Sequence, residues 1–417
     1  MAGLKRTVTL KKQQPLFLII VMNNNMKKKI DEIAQILASE TISEIGLLTG
    51  IGGQILTCSE LFLQKETSQD WLSHLHQVLE GKITDEEFVF THCSGLAGVG
   101  WLYEYLSQKK IVDFDTNLLL EDFDIYLEKA LNNFMLQTNY DFLHGGVGVV
   151  LYFTKRCKKK REVISVLNRF LKDLEKTGIQ QDNGTIKWQS FLGEHLGKGY
   201  NIALSHGMAS IAAILSKLYI IEGIDRGTTE KLLRDAIKYI LAQEIDKDKY
   251  GSYFSSYALE STSVIFKSRL AWCYGDLGIA SALYQAGKIL KEETWVNKSL
   301  EILLFAAVER RNLEENIVTD ACLCHGTAGI GHIFYRMWWN TKLSEFKDAA
   351  DYWFEETLKM AKFENGLAGF KTLHTHEGKP SWENDYEFLT GVAGIGLALL
   401  TYYYELNPEW DECLLLS

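Results

Sequence analysis

The sequence predicts an all-α protein, an α/α toroid in which seven buried inner helices alternate with seven amphipathic outer ones. A G-x-x-G frame followed by apolar residues recurs seven times along the chain. Amphipathic stretches with one charged face stand before copies of this frame, and the period-two alternation of strands is nearly absent. The 417 residues are 47% hydrophobic, ample for one large core, and 3 prolines against 33 glycines suit helices with glycine-marked ends.

The N-terminal residues 1–27 read as a leader outside the fold, leaving 28–417 as a single toroidal domain. "LFLIIVM" at 16–22 is too short to span a bilayer, and "NNNMKKK" follows it where a signal peptide would carry small residues for cleavage. The outer helices are represented by "KKIDEIAQILAS" (28–39), "NLLLEDFDIYLEKALNNFM" (117–135), "TEKLLRDAIKYILAQ" (229–243) and "DAADYWFEETLKMAK" (348–362). The inner helices follow the glycines Gly50, Gly95, Gly145, Gly207, Gly275, Gly326 and Gly391. Each inner copy is rich in Gly and Ala and apolar on all sides, as a helix buried all round must be. Ser210 alone replaces a second glycine of the frame. A phosphate-cradling loop is the other use of such glycines, but no strand precedes them.

If the inner helices run parallel, the residues just before each first glycine form a ring at one mouth: Thr49, Ser94, His144, His206, Tyr274, His325 and Thr390. One position earlier stand Leu48, Cys93, Leu143, Ser205, Cys273, Cys324 and Leu389. Metal-binding and titratable types gather in repeats three to six, and the longest connections precede repeats four, five and seven. Cys273 and Cys324 occupy one register of adjacent repeats and can converge on one ion, with His325 reaching it from the next position. Seven helices packed 8–10 Å apart make a ring with a radius near ~11 Å, which leaves Cys93 roughly 20 Å away. His332 lies two helical turns beyond His325 and is expected in the core. Two thiolates and an imidazole suit zinc, one ion per chain, with a fourth position open. The alternative is a closed structural zinc with Cys322 as the fourth ligand.

A net charge of −10, without a basic stripe, argues against nucleic acid as a partner. Seven scattered cysteines are no disulfide framework and favour a reducing, cytoplasmic setting. "HTHE" at 374–377 has the look of a metal motif but is read as surface loop.

"WCYG" at 272–275, "CHG" at 324–326 and "SHG" at 205–207 resemble the motifs of lanthionine synthetase C-like proteins, the lanthipeptide cyclases, and the resemblance spans nearly the whole chain. It implies a stand-alone cyclase that adds peptide cysteine thiols to dehydroalanine or dehydrobutyrine, closing lanthionine and methyllanthionine rings. It further implies Cys273, Cys324 and His325 as zinc ligands, with His206, Asp141, Arg269 and Tyr274 around the active site. His206 is the expected proton donor and His144 its rival. Asp141 would orient His206 or cap the third inner helix, Arg269 would steady an enolate oxygen or Asp141, and Trp272 would be a packed wall. The implied partners are a dehydrated precursor peptide, a separate dehydratase and an export transporter. The location is cytoplasmic, or peripheral to the membrane within a biosynthetic complex, without a membrane span. Family members that add glutathione instead, and a silent zinc scaffold that docks peptides, are the competing functions. A glycan-processing toroid would require paired carboxylates, which the ring register lacks.

Overall fold

Met26, Ile30, Ile33 and Leu37 recur at intervals of three and four, and all four are fully buried. They share one helix, α1 (Leu16–Leu37), so a boundary between leader and fold at 27/28 falls inside a continuous helix. The exposed asparagines at 23–25 interrupt the hydrophobicity but not the helix, because polar residues are tolerated on a solvent face. This computed structural model describes residues 16–85, 89–192, 197–261, 264–265, 267–376 and 378–417; most of the proposed leader, 1–15, lies outside them.

The helices that follow are α2 (Ile51–Leu63), α3 (Gln69–Asp85), α4 (Leu96–Gln108), α5 (Thr116–Leu119), α6 (Glu121–Leu136), α7 (Gly146–Arg156) and α8 (Ile164–Thr177). Then come α9 (Met208–Tyr219), α10 (Arg226–Leu241), α11 (Lys247–Tyr250), α12 (Asp276–Leu290), α13 (Glu293–Glu309), α14 (Thr327–Thr341), α15 (Ser344–Met360) and α16 (Val392–Tyr403). The helices α2, α4, α7, α9, α12, α14 and α16 each start at the residue after a first glycine of the repeat. They are the apolar ones: α4 is buried without a break from Leu96 to Leu106. The amphipathic stretches lie where expected, in α1, α5–α6, α10 and α15, and α3, α8 and α13 complete the outer set among the described residues. Outer helices pack on the inner helix that precedes them, as α15 does on α14 and α13 on α12; α1, the first, packs on α16, the last.

Close backbone approach explains the second glycine of the frame. A Cβ on Gly329 would lie 1.9 Å from the Leu323 carbonyl oxygen, and one on Gly394 equally close to that of Phe388. At Ser210 the hydroxyl turns back to donate to the Gly207 carbonyl at 2.7 Å.

Backbone hydrogen bonds then join turn to turn. Leu48 N donates to Cys93 O (2.8 Å), Cys93 N to Leu143 O (3.0 Å), Ser205 N to Cys273 O (3.3 Å) and Cys273 N to Cys324 O (3.3 Å). Cys324 N continues to Leu389 O (3.0 Å), and Leu389 N returns to Leu48 O (2.9 Å). Among the described residues the one step without such a bond is from Leu143 to Ser205.

Among the described residues six short strands accompany the helices, forming three antiparallel hairpins: β1 (Ile179–Gln180) with β2 (Ile186–Lys187), β3 (Ser190–Phe191) with β4 (Lys198–Gly199), and β5 (Thr372–His376) with β6 (Lys379–Glu383). All lie in the long connections before α9 and α16. His374 and His376 of the "HTHE" stretch are therefore strand residues, paired with Asp385 at 3.3 Å and Glu383 at 2.8 Å; Glu377 lies outside the described residues. No helix among the described residues is long and apolar enough to cross a membrane.

The connection into α12 is held by a buried ion pair. Arg310 Nη1 meets Asp276 Oδ2 at 2.8 Å, Arg310 Nη2 binds the Ser268 carbonyl at 2.5 Å, and Asp276 accepts the backbone N–H groups of Tyr253 and Phe254. Both side chains are essentially inaccessible, so removing one leaves the other a buried, uncompensated charge. Arg310→Met should lower unfolding stability by about 3–5 kcal/mol, read as a fall in the urea midpoint at unchanged slope.

Candidate metal centre

The glycine that ends the ligand turn of repeat five is unlike the other first glycines. Gly275 has φ +85°, the left-handed region, and a Cβ there would meet Ser268 Oγ at 2.5 Å and the Arg269 carbonyl at 2.6 Å. The turn thus presses against segment 268–269, which the Arg310–Asp276 pair holds from the other side. From this turn Trp272 N and Cys273 N both donate to Cys324 O, at 3.2 and 3.3 Å.

The outcome is convergence. Sγ of Cys273, Sγ of Cys324 and a ring nitrogen of His325 lie within 4.8 Å of one another. Cys273 is buried, while Cys324 and His325 are partly open to solvent. Both thiols are free, as are the chain's other five cysteines. Of the two, Cys273 is held well below the ordinary thiol range, chiefly by the hydrogen bond from Cys324 and despite burial; Cys324 is pushed up by the same contact. The His325 imidazole is pushed up to about 11, first by the charge of Cys322, against burial, and then by Cys273. The pocket therefore demands positive charge beside its sulfurs. Soft thiolates with an imidazole fit a divalent ion such as zinc, and three donors leave a fourth position.

Cys322 belongs to a second group, Asp320, Cys322 and His325, which shares the imidazole. Its Sγ accepts the His325 backbone N–H at 3.5 Å, and burial raises its pKa. It does not join Cys273 and Cys324 in one mutual cluster. Cys93 is elsewhere in the ring, its thiol directed at Thr49 and pushed up to about 12 by burial. His332 is in the core, 3.0 Å from Asp411 and tilted against the Trp410 ring.

One step back along the ring, His206 Nδ1 meets Asp141 Oδ2 at 2.6 Å. Asp141 Oδ1 also accepts the backbone N–H of His144 at 2.8 Å, so the carboxylate caps its own turn and holds His206 at once. Burial works to lower the His206 pKa, but the hydrogen bond and charge of Asp141, with a further contribution from Cys273, outweigh it and raise it. His144, stacked at 6.1 Å, is lowered by burial and stays neutral more readily. The Tyr274 ring lies 6.0 Å from His206, and its hydroxyl, raised by burial, keeps its proton. His206, Asp141, His144 and Tyr274 share the wall of a cavity of about 470 Å³ with Lys198 from β4. Arg269 is joined to the Ile317 carbonyl at 3.1 Å, and no bond links it to Asp141 among the described residues. Its charge is instead among the influences that lower the Cys273 and Cys324 thiols. The metal cluster and the His206 pair are tied together, since Ser205 N and Oγ both donate to the Cys273 carbonyl, at 3.3 and 3.0 Å.

Sequence reading missed the residues that shape these turns. Asn139, Asn201, Asp320 and Asp385 stand six positions before a first glycine, and each Oδ1 accepts the backbone N–H two residues on. The recurring Asn or Asp at that offset was the available signal.

A family model described as lanthionine synthetase C-like protein matches residues 41–415. The nisin biosynthesis protein NisC of Lactococcus lactis subsp. lactis is 23% identical over 439 residues, spanning 95% of this chain and 97% of that protein. Among solved structures, a nisin cyclase aligns with a TM-score of 0.72 at 19% identity, covering 95% of this chain and 98% of the other. That structural likeness concerns the fold.

Metal analysis of purified variants tests the donor set. Cys273→Ala and Cys324→Ala should lose the ion while circular dichroism stays that of the parent, whereas Cys93→Ala and Cys322→Ala should keep it. Full occupancy in Cys273→Ala, or loss in Cys322→Ala, would contradict this assignment.

Proposed function

The chain belongs to the lanthionine synthetase C-like family, and on that footing we propose that it is a zinc-dependent lanthipeptide cyclase built as an α/α toroid. The toroid is supported by the turn-to-turn hydrogen bonds that return from Leu389 to Leu48 and by the packing of α1 on α16. The substrate would be a precursor peptide, already dehydrated by a separate enzyme, that carries cysteine together with dehydroalanine or dehydrobutyrine. One observation carries the reading: two thiols and an imidazole converge next to an Asp–His pair on the neighbouring turn.

Zinc held by Cys273, Cys324 and His325 would lower the pKa of a peptide thiol and hold it as thiolate, the two protein sulfurs keeping the site electron-rich. Arg269 adds positive charge beside the thiols. The peptide sulfur forms a bond to the β-carbon of the dehydroamino acid, and the displaced π pair moves onto the α-carbon and its carbonyl as an enolate. His206 is suited to deliver the missing proton to the α-carbon. Asp141 occupies its Nδ1 and favours the imidazolium, which leaves the Nε2–H free to donate. Tyr274, neutral at working pH, lies tilted against the His206 ring on one side. His144 is the weaker candidate, because burial keeps it unprotonated.

Incubating the zinc protein with a dehydrated, cysteine-containing peptide tests the activity. Ring closure should leave peptide mass unchanged while its thiols become resistant to alkylation, and glutathione should not be required. Thiols that remain alkylable after prolonged incubation would defeat the cyclase reading, and a mass gain dependent on glutathione would replace it with thiol transfer.

Two variants address the proton. His206→Asn should retain zinc and slow ring closure by roughly 10²–10⁴-fold. Because the acid must be protonated, the parental rate should fall as pH rises through the raised His206 pKa. Asp141→Asn removes what raises that pKa and leaves burial, so the falling limb of the pH–rate profile should move to lower pH. A limb that stays in place would assign the proton to another group.

A further inference from the structure

The final apolar residues of the chain cross beneath the inner helices, and three side chains hold them by consecutive carbonyls. His92 Nε2 donates to Cys413 O at 2.9 Å, Trp272 Nε1 to Leu414 O at 2.9 Å, and Gln285 Nε2 to Leu415 O at 2.8 Å. Trp410, Cys413, Leu414 and Leu415 are all at most 1% exposed. The segment is thus core, and the three donors come from turns or helices of repeats two and five.

Of the three donors, Trp272 alone is adjacent in sequence to a candidate metal ligand. Its indole is 1% exposed and meets Phe142 edge-on at 6.4 Å. The ligand turn is held on every side. Below, the indole N–H is bonded to Leu414; laterally, the amides of Trp272 and Cys273 share the Cys324 carbonyl. The Cys273 carbonyl is bound by Ser205, and Gly275 fixes the exit from the turn in the left-handed region. We infer that Trp272 is a positioning residue for Cys273, its indole N–H tying the ligand turn to Leu414 so that the C-terminal segment becomes part of the metal centre.

The physical reason lies in tolerance. Metal–ligand distances hold to within about 0.2 Å, whereas an unanchored turn wanders by more than that. Removing the N–H leaves the buried Leu414 carbonyl unpaired and frees the residue that precedes Cys273 from the C-terminal segment. The inference rests on the metal assignment above, so the parent's zinc content is measured first.

Zinc release to a chromogenic chelator is then compared in the parent, Trp272→Phe and Gln285→Leu. Each variant loses one hydrogen bond to the C-terminal segment, so both should melt earlier. Only Trp272→Phe should release zinc faster, by about tenfold or more, in the range seen when groups behind metal ligands are removed. Cobalt-loaded protein should show the same split, with the visible ligand-field bands shifted in Trp272→Phe and parental in Gln285→Leu. A chain ending at Cys413 keeps the indole and lacks the Leu414 carbonyl. It should also release zinc quickly, and adding Trp272→Phe to it should bring no further acceleration. If Trp272→Phe does not fold, the shortened chain against Gln285→Leu makes the same comparison. Equal release from Trp272→Phe and Gln285→Leu, or additive effects in the shortened chain, would overturn the coupling and leave the metal assignment standing. A parent that takes up no zinc overturns both.

Discussion

Backbone hydrogen bonds pass from turn to turn at the starts of the inner helices, from Ser205 through Cys273, Cys324, Leu389, Leu48 and Cys93 to Leu143. Every side chain of the candidate site hangs from one of those turns or from the residue beside it. Such bonds need backbones in near contact, and the glycines permit it. At Gly46 a Cβ would lie 2.5 Å from Ser94 Cα and 2.7 Å from the Cys93 carbonyl oxygen of the neighbouring turn. A hydrophobic core of side chains could hold the helices together. It could not by itself set two sulfurs from separate repeats within 4.8 Å of one imidazole.

Charge is distributed to the same end. The fully buried cations are paired with carboxylates at the starts and ends of helices: Arg156 with Glu104 and Asp124, Arg310 with Asp276. These pairs cost desolvation and give register in return. Near the mouth the pattern reverses. Sulfurs there lack a permanent counter-charge except for Arg269 and a protonatable imidazole, and His206 is held by a single carboxylate.

Much of this was legible in the chain itself, for a physical reason. A glycine required by backbone contact cannot be replaced without moving the contact, so the first glycine recurs seven times and the second six, and they mark the register that holds Cys273, Cys324, His325 and His206. Other features leave weaker traces. Asn139, Asn201, Asp320 and Asp385 act through single hydrogen bonds within a turn, and their spacing shows only once the turns are seen. The start of α1 was hidden because exposed Asn and Lys interrupt its apolar stripe without breaking the helix. Strands of two residues, such as β1 to β4, are too short to show a period. "CLLLS" at 413–417 has no periodicity at all, yet three side chains from two repeats bind its carbonyls.

The missing bond between Leu143 and Ser205 gives the mouth the mechanics of a split ring. A closed hoop resists opening equally along its circumference, and prising apart any bonded pair of turns here forfeits about 1 kcal/mol of hydrogen bonding. Across the slit the bond is between side chains instead, His206 Nδ1 to Asp141 Oδ2 at 2.6 Å. The arc that carries His144 and His206, beside the cavity of about 470 Å³, is thus joined by side chains rather than by backbone. The arc from Cys273 through Cys324 to Leu389 is stitched and stiff. Loss of charge on His206 would weaken this joint and leave the backbone-bonded turns as they are, so a titratable hinge and a fixed frame stand side by side.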